Sequence, residues 1–195
     1  MAVNPSTVGL YNLALALLGG EQLFTVDSTW EQNTLGILCN NHFPAVLDQA
    51  LEAHPWSFAR DRKDLAQTGR QNQTQAGRSY RWRYALPSDC LRPVELTGGR
   101  PFVLEGRHLL TDADQAELIY VRRVEDPREW PPAFRTALAW GLAVVLASAR
   151  NNDPRKQQMC LQQYQRALGE AMARDNNMQQ PAEELSAWEL ARLGR

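Results

Sequence analysis

The sequence predicts an α+β fold: a mainly helical bundle that carries an antiparallel β insertion. Two patterns predict it. Apolar residues recur at steps of three or four in four stretches, near 7–18, 28–54, 132–150 and 154–176, the spacing of one helix face. Near 80–124 the pattern shortens to alternating runs separated by glycine turns, the period of strands. Residues 1–66 and 131–178 are therefore expected to form the helical body, and 80–130 the β insertion. Residues 67–79 are expected to be a flexible polar loop, and 179–195 a C-terminal docking tail.

Ser6 is placed to cap the first helix. Val8, Tyr11, Leu15 and Leu18 line its apolar face, and Gly19-Gly20 stop it. Leu23, Phe24 and Val26 form a short linker expected to pack on the core. Ser28 followed by Glu31 is a capping-box pair and opens a second, longer helix. Its face is Leu35, Cys39, Phe43, Val46, Ala50 and Ala53. Pro44 removes a backbone hydrogen bond inside it; the face continues past the proline, which predicts a kink rather than a break. His54-Pro55 ends the helix, because the residue before a proline is pushed out of helical geometry. Trp56 and Phe58 follow at once and are expected to fold back and staple the chain to the core.

Gln67 to Arg78 holds no apolar residue but Ala76, too little to order itself by burial. Loops of that length inside a domain are functional or disordered. From 60 to 92, eight basic residues (Arg60, Arg62, Lys63, Arg70, Arg78, Arg81, Arg83, Arg92) face three acidic ones (Asp61, Asp64, Asp89), a local balance of +5. Such a window is a solvated basic loop, or a contact with an acidic surface or with DNA. Tyr80–Tyr84, Leu91–Leu96, Pro101–Leu104, His108–Leu110 and Leu118–Val124 read as short strands. Thr97-Gly98-Gly99-Arg100 and Glu105-Gly106-Arg107 are turn sequences between them. The acidic end, Asp112, Asp114 and Glu117, is suited to pair with basic residues of a neighbouring subunit.

Pro131-Pro132 opens a third helix, proline being tolerated in the first turn. Phe134, Leu138, Leu142, Val145 and Ala149 make one stripe. Ala137, Trp140, Gly141 and Val144 widen it almost all round, so this helix should be buried. Asn151-Asn152 break it and Asp153-Pro154 start a fourth. Leu161, Tyr164, Leu168 and Met172 are read as inward, and Gln157, Gln158, Gln162, Gln165 and Arg166 as outward. A connection so short makes the two helices antiparallel neighbours. Beyond Asn176-Asn177 and Pro181, Leu185, Trp188 and Leu193 form a small apolar edge. Trp188 either folds back on the domain or docks on another chain.

Composition narrows the function. Apolar content of 44% and charged content of 22% are those of a globular protein. A formal net charge of −1 gives no bulk electrostatic case for nucleic acid or membrane. Cys39, Cys90 and Cys160 are odd in number and far apart, which suits a reducing compartment better than a disulfide framework. Residues 1–9 lack a basic region and a cleavable apolar segment, so no signal peptide is expected. The run Ala137–Ala147 is shorter than the roughly 20 residues of a membrane span, so no membrane partner is expected.

Chemistry is hard to find. His42, His54 and His108 are scattered; Cys39 and His42 share a helix, but two ligands do not make a metal site. Ser88-Asp89-Cys90 holds a nucleophile with no histidine near it in sequence. Gly98-Gly99 lacks the lysine and hydroxyl residue of a phosphate loop. Asp112 and Asp114 lie in a turn, where solvation explains them. The expectation is a non-enzyme with no catalytic, cofactor-binding or metal residues.

An ordered set of segments nevertheless resembles a known family. Tyr11-Asn12-Leu13-Ala14-Leu15-Ala16-Leu17-Leu18-Gly19 opens it. Then come the long helix with Cys39, His54-Pro55-Trp56-Ser57-Phe58-Ala59, and Arg62 and Leu65. Tyr84-Ala85-Leu86-Pro87-Ser88-Asp89-Cys90-Leu91-Arg92 follows, then Ile119-Tyr120-Val121, Asp126-Pro127 and Pro132-Ala133-Phe134 before an alanine-rich helix. Over roughly residues 7 to 175 this order is similar to bacteriophage head-to-tail adaptor (connector) proteins, the tail tubular protein A-like family of short-tailed phages. The resemblance implies a structural virion protein of the tail or neck, assembled in the host cytoplasm. It implies a homo-oligomeric ring of twelve copies beneath the portal protein. That ring extends the DNA channel, lets DNA pass without sequence recognition, and meets the tail nozzle or tail-terminator proteins. A subunit of this kind needs a stiff body and arms that order on assembly. The basic window and the terminal apolar edge are the natural arms, which gives Arg70, Arg78, Arg81, Arg83, Leu185, Trp188 and Leu193 as partner-binding residues. The competing expectation is a single-stranded nucleic-acid-binding module. There the window 60–92, with Tyr80, Trp82 and Tyr84 between arginines, would stack bases.

Overall fold

The computed structural model describes residues 5–19, 34–75, 78–151 and 154–179. In chain order the elements are α1 (Pro5–Leu17), α2 (Thr34–Glu52), β1 (Arg60–Asp64), β2 (Gln67–Gln75), β3 (Arg78–Ala85), β4 (Cys90–Leu96), β5 (Phe102–Glu105), β6 (His108–Thr111), β7 (Glu117–Arg122), α3 (Pro132–Asn151) and α4 (Pro154–Gln179). A single 3-10 turn, Ser57–Ala59, joins α2 to β1. The strands pair antiparallel throughout, so the fold is α+β.

The helical layer is built on α3, which packs against α1, α2 and α4. Phe134, Ala137, Leu138, Leu142, Ala143 and Leu146 are wholly buried, as a helix apolar on nearly every side demands. Pro132–Ala149 is apolar and long enough to cross a membrane by length and composition. Packing against three other helices accounts for that composition. Close approach depends on Gly141: a Cβ there would lie 2.9 Å from Val46 Cγ1 and 3.1 Å from Tyr164 Cε2.

α1 buries Val8, Tyr11, Leu15 and Leu18. It starts at Pro5, so a proline rather than a Ser6 cap takes the first turn. Lys156 Nζ donates to the Leu18 carbonyl at 2.9 Å, placing a cation where α1 leaves carbonyls unsatisfied. α2 runs unbroken through Pro44. It ends at Glu52, which leaves Ala53 exposed rather than on the inner face, and Leu47 and Leu51 complete that face instead. Arg92 Nη1 donates to the Glu52 carbonyl at 2.6 Å, closing this end too. On α4 the inward stripe is Cys160, Tyr164, Leu168, Ala171 and Asp175. Leu161, expected inward, is 42% exposed, because one residue turns about 100° round a helix and carries it off that stripe. The Ser28–Glu31 capping box, the linker 23–26, Asn152-Asp153 and the segment with Leu185, Trp188 and Leu193 lie outside the described residues.

Two sheets follow, one in the order β1-β7-β4 and one in the order β2-β3-β6-β5. The five expected strands are present, and two more precede them. β1 takes Arg60–Asp64 out of the helical body, and β2 turns the expected loop 67–79 into a strand paired with β3. Apolar alternation could not signal either one. β1 is exposed along its whole length, and β2 is polar, held by backbone pairing. The β5–β6 hairpin closes through Gly106 at φ 59°, a left-handed turn that favours glycine. The Thr97–Arg100 turn, with Gly98 at φ 82° and Gly99 at φ 66°, hands the chain from one sheet to the other.

β7 belongs to both cores. Val121 packs with the helices, in a cluster with Leu51, Trp56, Trp130, Phe134 and Leu138. Leu118 and Tyr120, on the opposite face of the pleat, pack with Tyr84, Leu96 and Leu109 of the two sheets. A strand buried on both faces reads as the continuous apolar run Leu118–Val121.

Gly141→Leu is expected to lower stability by about 2–3 kcal/mol, since overpacking a full core outweighs the gain in helix propensity. Gly169→Ala, at an exposed helical site with nothing within 4 Å of the added Cβ, should raise it by about 0.5–1 kcal/mol. Urea unfolding of the two variants checks both signs.

Candidate interaction surface

Of the residues expected to bind partners, Arg70, Arg78, Arg81 and Arg83 fall on one hairpin, and Leu185, Trp188 and Leu193 lie outside the described residues. β3 pairs with β6 only from Trp82 to Ala85, whereas β2 follows β3 out to Arg78. The outer parts of β2 and β3 therefore pair only with each other, as a two-stranded arm beyond the sheet. Arg70 lies opposite Trp82 in this ladder and Arg78 opposite Gln75. The pairing slips twice along β2, between Gln67 and Gly69 and between Arg70 and Gln73, and such bulges bend an edge.

The pleat sorts the basic-aromatic alternation. Tyr80 and Tyr84 are buried, Trp82 packs against the inter-sheet core, and the Tyr84 hydroxyl donates to the Ala113 carbonyl at 2.9 Å. Tyr80 and Tyr84 held this way offer no open face to a nucleobase, whereas Trp82 is half-buried. Arg81 points to solvent, and its backbone N–H donates to Asp112 Oδ1 at 3.1 Å. Arg83 is half-buried, and its Nη2 donates to His108 Nδ1 at 2.9 Å. Arginine only donates, so Nδ1 accepts and a neutral ring carries its proton on Nε2. Of the acidic end, Asp112 is engaged by Arg81, and Glu117 Oε2 accepts from the Thr97 hydroxyl. Asp112 and Asp114 are exposed.

A second charged feature is β1. It forms one edge of its sheet, pairs only with β7, and exposes Arg60, Asp61, Arg62, Lys63 and Asp64. Arg123 ties the sheet to the helices by donating from Nε to Asp48 Oδ1 on α2 at 2.7 Å.

One cluster had no signal in sequence. Asp175 on α4 is buried and accepts from the Ser57 hydroxyl at 2.5 Å and from the Ser57 backbone N–H at 3.1 Å. His54 Nε2 lies 3.1 Å from its Oδ2. The carboxylate sits between the hydroxyl and the imidazole, so His54 meets Asp175 rather than Ser57, and the group acts as a clamp from α4 onto the α2–β1 turn. The partners are more than a hundred residues apart in the chain, which no local pattern reveals.

The thiols are structural. Burial pushes Cys39 up to about 12 and Cys90 up to about 11, the latter against a smaller opposing effect of Arg107. Cys160 is raised by burial as well. All three are buried and unbonded. His42 is exposed while Cys39 on the same helix is buried, and no group of three or more metal-ligating side chains forms among the described residues. No family model matches this chain, and no curated protein matches it either.

Two tests follow. Asp175→Ala should cost about 2–3 kcal/mol in urea unfolding, because it removes the buried charged acceptor of the Ser57 amide and hydroxyl. Folding favours the protonated Cys39 thiol, so its contribution is complete below the ordinary thiol pKa and is lost as pH rises toward about 12. Cys39→Ala should flatten that alkaline fall in stability, measured by chemical unfolding across the range.

Proposed function

We propose that this chain is a structural subunit of a phage head-to-tail adaptor. Copies of it close into a ring, twelve in number, between the portal protein and the tail nozzle or terminator, and continue the channel through which DNA leaves. It works by assembly rather than by catalysis, and its place is the neck of the virion. Its body is a mainly helical bundle, and the sheets supply the faces that meet neighbours.

One observation carries this reading: among the described residues, two polar strands, β1 and β2, form edges of the two sheets. β1 exposes five charged residues of both signs along an edge strand. The β2–β3 arm extends beyond its sheet. An edge strand bearing charges of both signs suits pairing with an identical neighbour in a head-to-tail ring. The ordered sequence segments add support. His54–Ala59, one of those segments, forms the joint where helices and sheet meet. The single-strand-binding reading draws less support, because its stacking tyrosines are buried.

Electron microscopy of the purified protein, alone and mixed with portal protein, tests the proposal. The expected result is closed rings, or an added layer beneath the portal. A monomer that leaves portals bare at high concentration would sink it. Arg60→Glu combined with Arg62→Glu and Lys63→Glu should abolish the layer while shifting unfolding by no more than about 0.5 kcal/mol per site, since all three side chains are exposed.

A further inference from the structure

The backbone of β1 turns alternately toward β7 and away from it. The Leu65 N–H donates to the Ala116 carbonyl at 2.8 Å, continuing the register that sets Arg60 opposite Val121 and Asp64 opposite Glu117. Antiparallel ladders bond at every second pair, so Asp61 and Lys63 also turn their backbone groups to β7. Arg60, Arg62 and Asp64 turn theirs outward. A further strand laid on this edge would need the outward N–H of Arg62. That group is already used: it donates to Asp61 Oδ1 at 2.8 Å. Residue 61 thus closes, with its own side chain, the middle of a strand whose side chains are exposed throughout.

The same carboxylate has a second contact, and that contact makes it easy to release. The Tyr120 hydroxyl lies 3.4 Å from Asp61 Oδ2, and also 3.4 Å from both carboxylate oxygens of Asp89. A phenol has one proton to donate, so it serves one carboxylate at a time. Tyr120 is buried, and a buried hydroxyl left without an acceptor is costly. With Asp89 equally near, Asp61 can leave and the hydroxyl keeps an acceptor. Asp61 is exposed, so water solvates the released carboxylate. The group that loses its partner is the Arg62 N–H, and an incoming strand supplies a carbonyl for it.

We propose that Asp61 is a latch on the β1 edge: it caps the Arg62 N–H in the lone subunit and releases it when β1 pairs with a strand of a second copy of this chain. The inference rests on the reading that β1 meets such a copy, and adds what holds the edge shut before that contact. Charge names the occupant. β1 carries Arg60, Arg62 and Lys63 beside Asp61 and Asp64, and a strand of mixed sign is matched across a ladder by another of mixed sign. A second copy supplies one, and the released Asp61 carboxylate then has a cation to meet.

The test compares two variants of the full chain that lose the same charge. Asp61→Ala removes the cap; Asp61→Asn keeps an acceptor oxygen in its place. In dilute protein the Arg62 amide should exchange with solvent roughly ten-fold faster in Asp61→Ala than in Asp61→Asn, read by NMR. Sedimentation velocity over a concentration series should show Asp61→Ala self-associating at a roughly ten-fold lower concentration than the parent, with Asp61→Asn within about two-fold of it. Equal amide exchange in the two variants overturns the cap. Equal association in the two variants overturns the latch, since charge alone then governs the edge. If Asp61→Ala associates as the parent does while Arg60→Glu with Arg62→Glu and Lys63→Glu abolishes the layer on the portal, the edge is used but not latched, and this inference alone falls. If neither set changes assembly, β1 is not where copies meet, and the reading beneath it falls as well.

Discussion

A run of aromatic rings holds this molecule together. Tyr11 meets Phe43 edge-on at 5.7 Å, Phe43 meets Trp130 at 5.9 Å, and Trp130 meets Phe134 at 6.3 Å. Phe134 then meets Trp56 and Phe58, each at 4.9 Å. These rings come from α1, α2, the β7–α3 connection, α3 and the α2–β1 turn. Each buries roughly 150–250 Å² of largely apolar surface when enclosed. Both indoles also find an acceptor: Trp56 Nε1 donates to the Ala50 carbonyl and Trp130 Nε1 to the Val124 carbonyl. A tryptophan buried without one would lose much of what its ring gains. The two bonds tie each ring to the backbone six residues before it, so both chain reversals are fixed locally as well as by packing.

The sheets inherit their position from this run. Trp56 sets where β1 leaves the helices, and Trp130 sets where β7 hands over to α3. β7 lies between these points and is buried on both faces. Its Val121 side is seated by the aromatic cluster, and its Leu118 and Tyr120 side is therefore presented to the second sheet at a fixed height. Asp175 adds a polar lock to the same joint from α4. Helices and sheets thus meet through β7, which contributes Val121 to the helical cluster and Leu118 and Tyr120 to the inter-sheet cluster.

This arrangement explains what could be read from the sequence. The helix faces were legible because Val8, Tyr11, Leu15 and Leu18, or Cys39, Val46 and Ala50, keep a strict helical step. The stapling of Trp56 was legible because a large aromatic directly after a helix exit has few other places to go. β1 and β2 were not legible, since periodicity is a record of burial and neither strand has a buried apolar face to record. The inward Leu161 was misjudged by one position on α4, where small and polar residues, Cys160, Ala171 and Asp175, carry the stripe. The Asp175 clamp joins residues distant in sequence, and only the fold brings them together. Of the arginines expected to bind partners, the pattern placed Arg81 on a surface, but could not tell that Arg83 would be held by His108.

The polarity that hid β1 and β2 has a physical purpose. A free strand edge invites pairing with any extended chain, and an apolar one aggregates. Here one edge carries Arg60, Asp61, Arg62, Lys63 and Asp64, and the arm is built of glutamine, asparagine, threonine and arginine. Such edges cost little in water, because solvent satisfies them, and they gain only against a surface of complementary charge and register. The ring subunit we propose would face that requirement: it must stay apart from its copies until they are aligned, then bond along an extended front. Charge along an otherwise competent strand edge meets both conditions, and a stiff aromatic core keeps that edge in the same place in every copy.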